Sequence, residues 1–147
     1  MSDYSNILTD FEKSALLKKL SDFEQETTIE IAVLLLPTSK PYFDDDRTFI
    51  TKTFNRWGIG KKYKDNGLFL AFLTDDRKVR ITTGSGMESV FTDDLCGKIL
   101  DEHVVPNLRA GNYYTAISEC LNQFFVISRN NIAKLQNEWD FRLKSQK

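Results

Sequence analysis

Asp65, Asn66, Glu88, Asp93 and Asp94 are the residues whose types and spacing best suit chemistry in this chain. Carboxylates and an amide on loops are what a hard cation such as calcium or magnesium takes, at oxygen distances of about 2.1–2.5 Å. Gly84 and Gly86 fall between them in sequence and let backbone carbonyls or amides approach a ligand. Each residue also has a plainer use. Asn66-Gly67 can turn the chain, and Asp93 and Asp94 complement the start of a helix. A second group, Asp75, Asp76 and Arg77, reads first as a turn whose arginine can pair with its aspartates, with a phosphate role as the other reading. The triplet Asp44-Asp45-Asp46 is open in the same way, between the acidic first turn of a helix and a metal loop.

Familiar catalytic constellations are missing from the sequence. It holds no G-x-S-x-G elbow, no H-E-x-x-H and no G-K-[ST] phosphate loop. Gly84-Ser85-Gly86 is too short for a nucleotide cradle. The single histidine, His103, falls near a helix C-terminus, where cations are favoured, and reads as structural. No catalytic residue is therefore assigned. Lys61-Lys62-Tyr63-Lys64 is the only dense basic cluster, a solvated loop or a phosphate patch. Lys61, Lys62 and Arg77 are the cations available to clamp a phosphate.

Strands and helices must position these groups. Thr9 with Glu12 three residues on forms a capping box, and Leu16, Leu20, Phe23 and Thr27 then make one buried helical stripe. That helix should end near Glu26. Ile29 to Leu36 is apolar apart from Glu30 and predicts a strand covered on both faces. Pro37 and Pro41 mark a loop, and Phe49, Ile50, Thr53 and Phe54 a second helix. Gly67 to Thr74 is a second buried strand. Val79, Ile81 and Thr83 alternate with Lys78, Arg80 and Thr82, which gives a third strand with one wetter face. The short turn at Asp75–Arg77 makes these two an antiparallel hairpin, and the helix before them implies a right-handed crossover between parallel strands.

Antiparallel pairing also divides the acids. Asp65 and Asn66 approach Gly84 to Glu88, with Asp93 close behind, whereas Asp75 and Asp76 sit about 25 Å away at ~3.3 Å per residue. Thr92 caps a further helix whose face carries Leu95, Ile99 and His103 and which Pro106 stops. Asn112 to Arg129 predicts another helix, with Ala116, Cys120, Phe124 and Ile127 on its stripe. Residues 131–144 form an amphipathic tail helix through Ile132, Leu135, Trp139 and Leu143, which docks on its own domain or on a partner. Together these elements imply a layered α/β/α sandwich around a small mixed sheet of three to four strands.

Composition narrows the function classes. A chain of 147 residues can bury one core without staples. Its net charge of −1 offers no electrostatic case for nucleic acid or an anionic membrane. No apolar run approaches the ~18 residues of a membrane span. Met1 to Asn6 is polar and shows no export signal, so the chain reads as soluble and cytoplasmic. Cys96 and Cys120 read as buried thiols rather than a disulfide.

In order, Trp57-Gly58-Ile59-Gly60, Asp65-Asn66-Gly67, Asp75-Asp76-Arg77-Lys78, Gly84-Ser85-Gly86-Met87-Glu88 and Thr92-Asp93 resemble the TPM domain family of thylakoid, photosystem-repair and receptor-modulating proteins. The resemblance begins near Leu8-Thr9-Asp10 and fades after about Phe125. It sets residues 8–129 as a TPM-like domain and residues 130–147 as a C-terminal helix extension. It implies the same layered fold and, because members include calcium binders, a Ca2+ or Mg2+ site at the first acidic group. Two functions follow from it. One is a protein-interaction or accessory module, monomeric, with an unidentified protein partner and the cation as adjunct; exposed rings such as Tyr42, Phe43 and Tyr63 suit it. The other is a weak metal-assisted phosphomonoesterase. In that case a metal on Asp65, Glu88 and Asp93 would activate water and another carboxylate would shuttle the proton.

Overall fold

The computed structural model describes residues 1–40 and 45–145. Pro41, Tyr42, Phe43 and Asp44, to which the sequence assigned a loop, two exposed rings and a helix-start acid, lie outside the described residues. The middle layer is a four-stranded mixed sheet in the order β1-β2-β3-β4. Its strands are β1 (Ser2–Asp3), β2 (Glu30–Leu36), β3 (Gly67–Leu73) and β4 (Lys78–Thr83). β1 and β3 flank β2 in parallel, while β4 pairs antiparallel with β3, Leu68 facing Thr83 and Leu73 facing Lys78. The expected parallel pair and hairpin are thus present. β1 is an addition that the polar N-terminus does not signal. Asp3 holds the chain leaving it, because its Oδ2 accepts the amides of Ile7 and Leu8.

Both faces of the sheet are covered. On one side Ile31, Val33, Leu35, Leu68, Leu70 and Phe72 join the main core with α1 (Asp10–Thr27), α3 (Asp93–Ile99), α5 (Tyr113–Asn130) and α6 (Ile132–Ser145). On the other, Leu34, Phe69 and Ala71 meet Ile50 and Phe54 of α2 (Asp46–Trp57), together with Ile59. Every residue of β3 is buried, as its continuous apolar run requires. The result is the expected α/β/α arrangement, with α2 alone forming the thinner layer among the described residues.

Local chemistry fixes the helix starts. Thr9 Oγ1 accepts the Glu12 amide at 3.1 Å, and Glu12 Oε1 accepts the Thr9 amide at 2.9 Å, closing the capping box. The stripe Leu16, Leu20, Phe23 and Thr27 is buried throughout. Asp45 caps α2 by accepting the Arg47 amide and the Thr48 hydroxyl, and Asp46 occupies the first turn. The Thr48 hydroxyl bond above all holds the Asp45 carboxyl below its ordinary value.

Pro106 does not stop the third helix, contrary to the sequence expectation. A π-helical turn at Leu100–Val104 follows α3, and the chain re-enters α-helix as α4 (Val105–Arg109) with Pro106 in its first turn. A proline lacks the amide that an interior helix position needs, and a first turn does not. The extra residue of the π turn also rotates the face. Cys96, Ile99 and Val104 are the buried set, rather than Leu95, Ile99 and His103.

α6 docks on its own domain. Leu135 and Trp139 are fully buried in the main core, with Ile132 packed against it. Trp139 Nε1 donates to the Gly86 carbonyl at 2.9 Å, Arg142 donates to the Ser85 carbonyl at 3.0 Å, and Lys134 donates to the Ser89 carbonyl at 3.3 Å. The helix thereby clasps the loop that follows β4.

Candidate functional site

β4 is an edge strand, flanked by α2 on one face of the sheet and by α3 on the other. Two open concavities of about 590 and 550 Å3 adjoin along it and share Thr51, Thr82 and Thr83. The first runs from Gly58–Lys62 to Asp65 and Ser85. The second is lined by Arg47, Arg80, Glu88, Asp93, Cys96 and Leu100, among others. Together they form one polar trough whose parts have the volume of small-molecule sites.

At the loop end of this trough the antiparallel register does bring Asp65 to the glycine loop. The Gly86 amide donates to the Asp65 carbonyl at 2.9 Å, and the Gly84 amide donates to the Gly67 carbonyl at 2.8 Å. A Cβ at Gly84 would collide with the Asp65 carbonyl, and one at Gly86 with the Lys64 carbonyl. The glycines therefore serve close backbone approach. Asp65, in the left-handed region at φ 50°, accepts the Ser85 hydroxyl at 3.3 Å and pairs with Arg142 at 3.3 Å. Asn66 is fully buried. Its Oδ1 accepts the Lys61 amide at 2.9 Å, its Nδ2 donates to Thr28 Oγ1 at 3.0 Å, and its carbonyl accepts the Glu30 amide at 3.2 Å. Thr28 has a left-handed backbone that closes α1, so Asn66 ties the end of that helix to the start of β3.

The sequence-derived ligand set is divided by this geometry. Asp65 and Asn66 are engaged within the fold, Glu88 and Asp93 line the trough together, and Asp94 is exposed on the first turn of α3. Among the described residues no group of three or more His, Cys, Asp or Glu side chains is placed to hold a metal. Lys61 is held by Glu24 at 2.7 Å and Glu30 at 3.5 Å, and the Glu24 bond first raises its ammonium above the ordinary value. Lys62 stacks over the half-exposed Tyr63 ring.

The hairpin turn is at the opposite end of β4. Asp76 Oδ2 accepts the Thr38 hydroxyl at 2.7 Å, and the Asp75 amide donates to the Pro37 carbonyl at 2.8 Å. Among the described residues Arg77, at φ 56°, forms no ion pair with either aspartate. It lines a separate 550 Å3 concavity with Lys78, Arg109 and Tyr113, whose phenol is pushed up by burial. His103 is half-buried, and its carbonyl accepts from Asn107. Cys96 and Cys120 are free and buried; burial raises the Cys96 thiol to about 11 and that of Cys120 further.

Sequence reasoning missed Arg47, Arg80 and Arg142. Arg80 is the most telling, because its Nε is buried and finds no hydrogen-bond partner among the described residues. Its place on the wetter side of the β4 alternation was the available signal. Arg142 gave none, since its contact with Asp65 spans 77 positions.

No helix among the described residues is long and apolar enough to cross a membrane. No curated protein matches the chain. Its fold is similar to the N-terminal domain of a protein from P. gingivalis, with 27% identity, 90% of this chain and 83% of that one covered, and a TM-score of 0.78. The BA42 protein from the psychrophilic bacterium Bizionia argentinensis is similar at 20% identity, with coverage of 90% and 86% and a TM-score of 0.74. An N-terminal domain from Corynebacterium glutamicum follows at 15% identity, 81% and 72% coverage, and a TM-score of 0.62. The TPM domain family model matches residues 1–127, which takes in the whole sheet and most of α5. The chain belongs to the TPM domain family.

Proposed function

We propose that this chain is a protein-interaction or accessory module of the TPM type, acting as a monomer. The observation that carries this reading is the open polar trough along β4, with a surface suited to holding a ligand by many modest contacts. A divalent cation, calcium first, is an adjunct in the part of the trough that Glu88 and Asp93 line. The free buried thiols support a cytoplasmic setting, where cysteines stay reduced.

A weak metal-assisted phosphomonoesterase is the second reading. It is favoured by Arg47 and Arg80 lying in the same concavity as Glu88 and Asp93, since guanidinium groups suit phosphate oxygens. One pair of measurements separates the two. Titration of the full chain with calcium and magnesium should give weak binding that a Glu88→Gln, Asp93→Asn double variant loses. Hydrolysis of p-nitrophenyl phosphate should stay at background with either metal. Metal-dependent turnover far above background, lost in the same variant, would replace the module reading with the enzyme.

A further inference from the structure

We infer that the trough takes an extended acidic peptide, which adds to the outer edge of β4 as a fifth strand. The inference rests on the module reading and names the chemistry of its partner. The Gly84 amide bonds the Gly67 carbonyl, and bonded and non-bonded pairs alternate along an antiparallel ladder. With Leu68 facing Thr83, the backbone groups of Thr82, Arg80 and Lys78 therefore turn inward to β3. Those of Val79, Ile81 and Thr83 turn outward. Among the described residues no strand takes them up, since β4 ends the sheet order.

An exposed row of this kind is a template for strand addition. Helices on both sides make it a groove rather than a flat rim. Side chains of an added strand alternate between the two faces of the sheet. Those on the α2 face would meet Arg80 and Arg47, neither of which has an ion pair among the described residues. The Asp45 carboxylate feels the Arg80 charge but is committed to Thr48 and the Arg47 amide. The Arg80 Nε, buried and without a hydrogen-bond partner among the described residues, is a donor for an acceptor on this face. Side chains on the α3 face would meet the apolar Val79, Ile81, Cys96 and Leu100 beside the Glu88 and Asp93 carboxylates, which disfavour acids there and leave that face to aliphatic side chains. The occupant is thus a segment alternating acidic with aliphatic residues. A second copy of β4 is the poorer occupant, because it would bring further cations, its own Arg80 and Lys78, to a face that already carries Arg80 and Arg47.

Fluorescence anisotropy with a labelled octapeptide alternating glutamate and valine tests this on the full chain. The expected result is micromolar to submillimolar binding, at least tenfold tighter than for the lysine–valine counterpart. Amide shifts should be concentrated at Val79, Ile81 and Thr83. N-methylation of every glutamate amide, or of every valine amide, should abolish binding in one set and spare it in the other, because only alternate residues face β4. Arg80→Glu should weaken binding at least tenfold. Arg47→Glu, on the exposed start of α2, provides the same test if the Arg80 variant does not fold. Equal affinity for the lysine peptide, indifference to both methylated sets, or no binding up to 1 mM would overturn the β4 site. Those results leave the module reading to the phosphatase assay, which alone can sink it.

Discussion

Single residues here do structural work that their chemistry disguises. Gly84 and Gly86 look like ligand-cradling glycines, yet each exists so that one backbone can pass another. Gly86→Ala should therefore destabilise by about 1–3 kcal/mol or more, the usual cost of forcing atoms into a packed contact. Gly97, inside α3, has open space where its Cβ would be. Gly97→Ala should stabilise by about 1 kcal/mol through helix propensity. Denaturant melts of the two variants give opposite signs if this distinction is right. The two thiols are protonated at neutral pH because burial disfavours the thiolate, and the thiolate is the reactive form. A colorimetric thiol reagent at pH 8 should find neither Cys96 nor Cys120 in the native protein and both after denaturation.

At the scale of elements, sequence legibility tracks how local the determining force is. The capping box and stripe of α1, the buried run of β3 and the β3–β4 hairpin are written in neighbouring residues, and all are present. β1 is not legible, because two polar residues become a strand only through pairing with Leu34 and Leu35. The π turn is hidden as well, since Pro106 alone cannot say whether a helix ends or restarts. The site was half readable. Hairpin geometry placed Asp65 beside the glycine loop, but nothing local announced that Arg142 would occupy its carboxylate. α6 illustrates the same limit from the other side: fourteen residues are marginal as a free helix, so its order comes from docking. Trp139→Ala should cost about 3–5 kcal/mol, read from chemical denaturation, as large aromatic truncations in cores do. Removing residues 131–147 should lower the thermal midpoint while light scattering still reports a monomer.

Across the whole molecule the two layers are unequal. β3 is sealed on both sides, whereas α2 rests on the smaller cluster of Leu34, Ile50, Phe54, Ile59, Phe69 and Ala71. Hydrogen exchange should accordingly find the Leu68–Leu73 amides slowest and α2 opening earlier, in a separate step. Arg129 links distant parts of the main layer, gripping Glu26 with two bonds of 2.9 and 2.8 Å while lying over Phe23 and Phe125. That grip holds the Glu26 carboxyl below its ordinary value. Its contribution is thus complete above the unfolded glutamate value of about 4.3 and is lost as pH falls through the depressed native one. The stability gap between native chain and Glu26→Gln, followed by thermal melts, should close on that acid side only. The clasp of α6 on the Gly86 carbonyl also has an optical consequence. The chain has two tryptophans, Trp139 at 2% exposure and Trp57 at 42%. Iodide should extinguish the red emission of Trp57 first and leave a blue remainder from Trp139, so that any event prising the Gly84–Gly86 loop from its brace would announce itself as a colour change without a label.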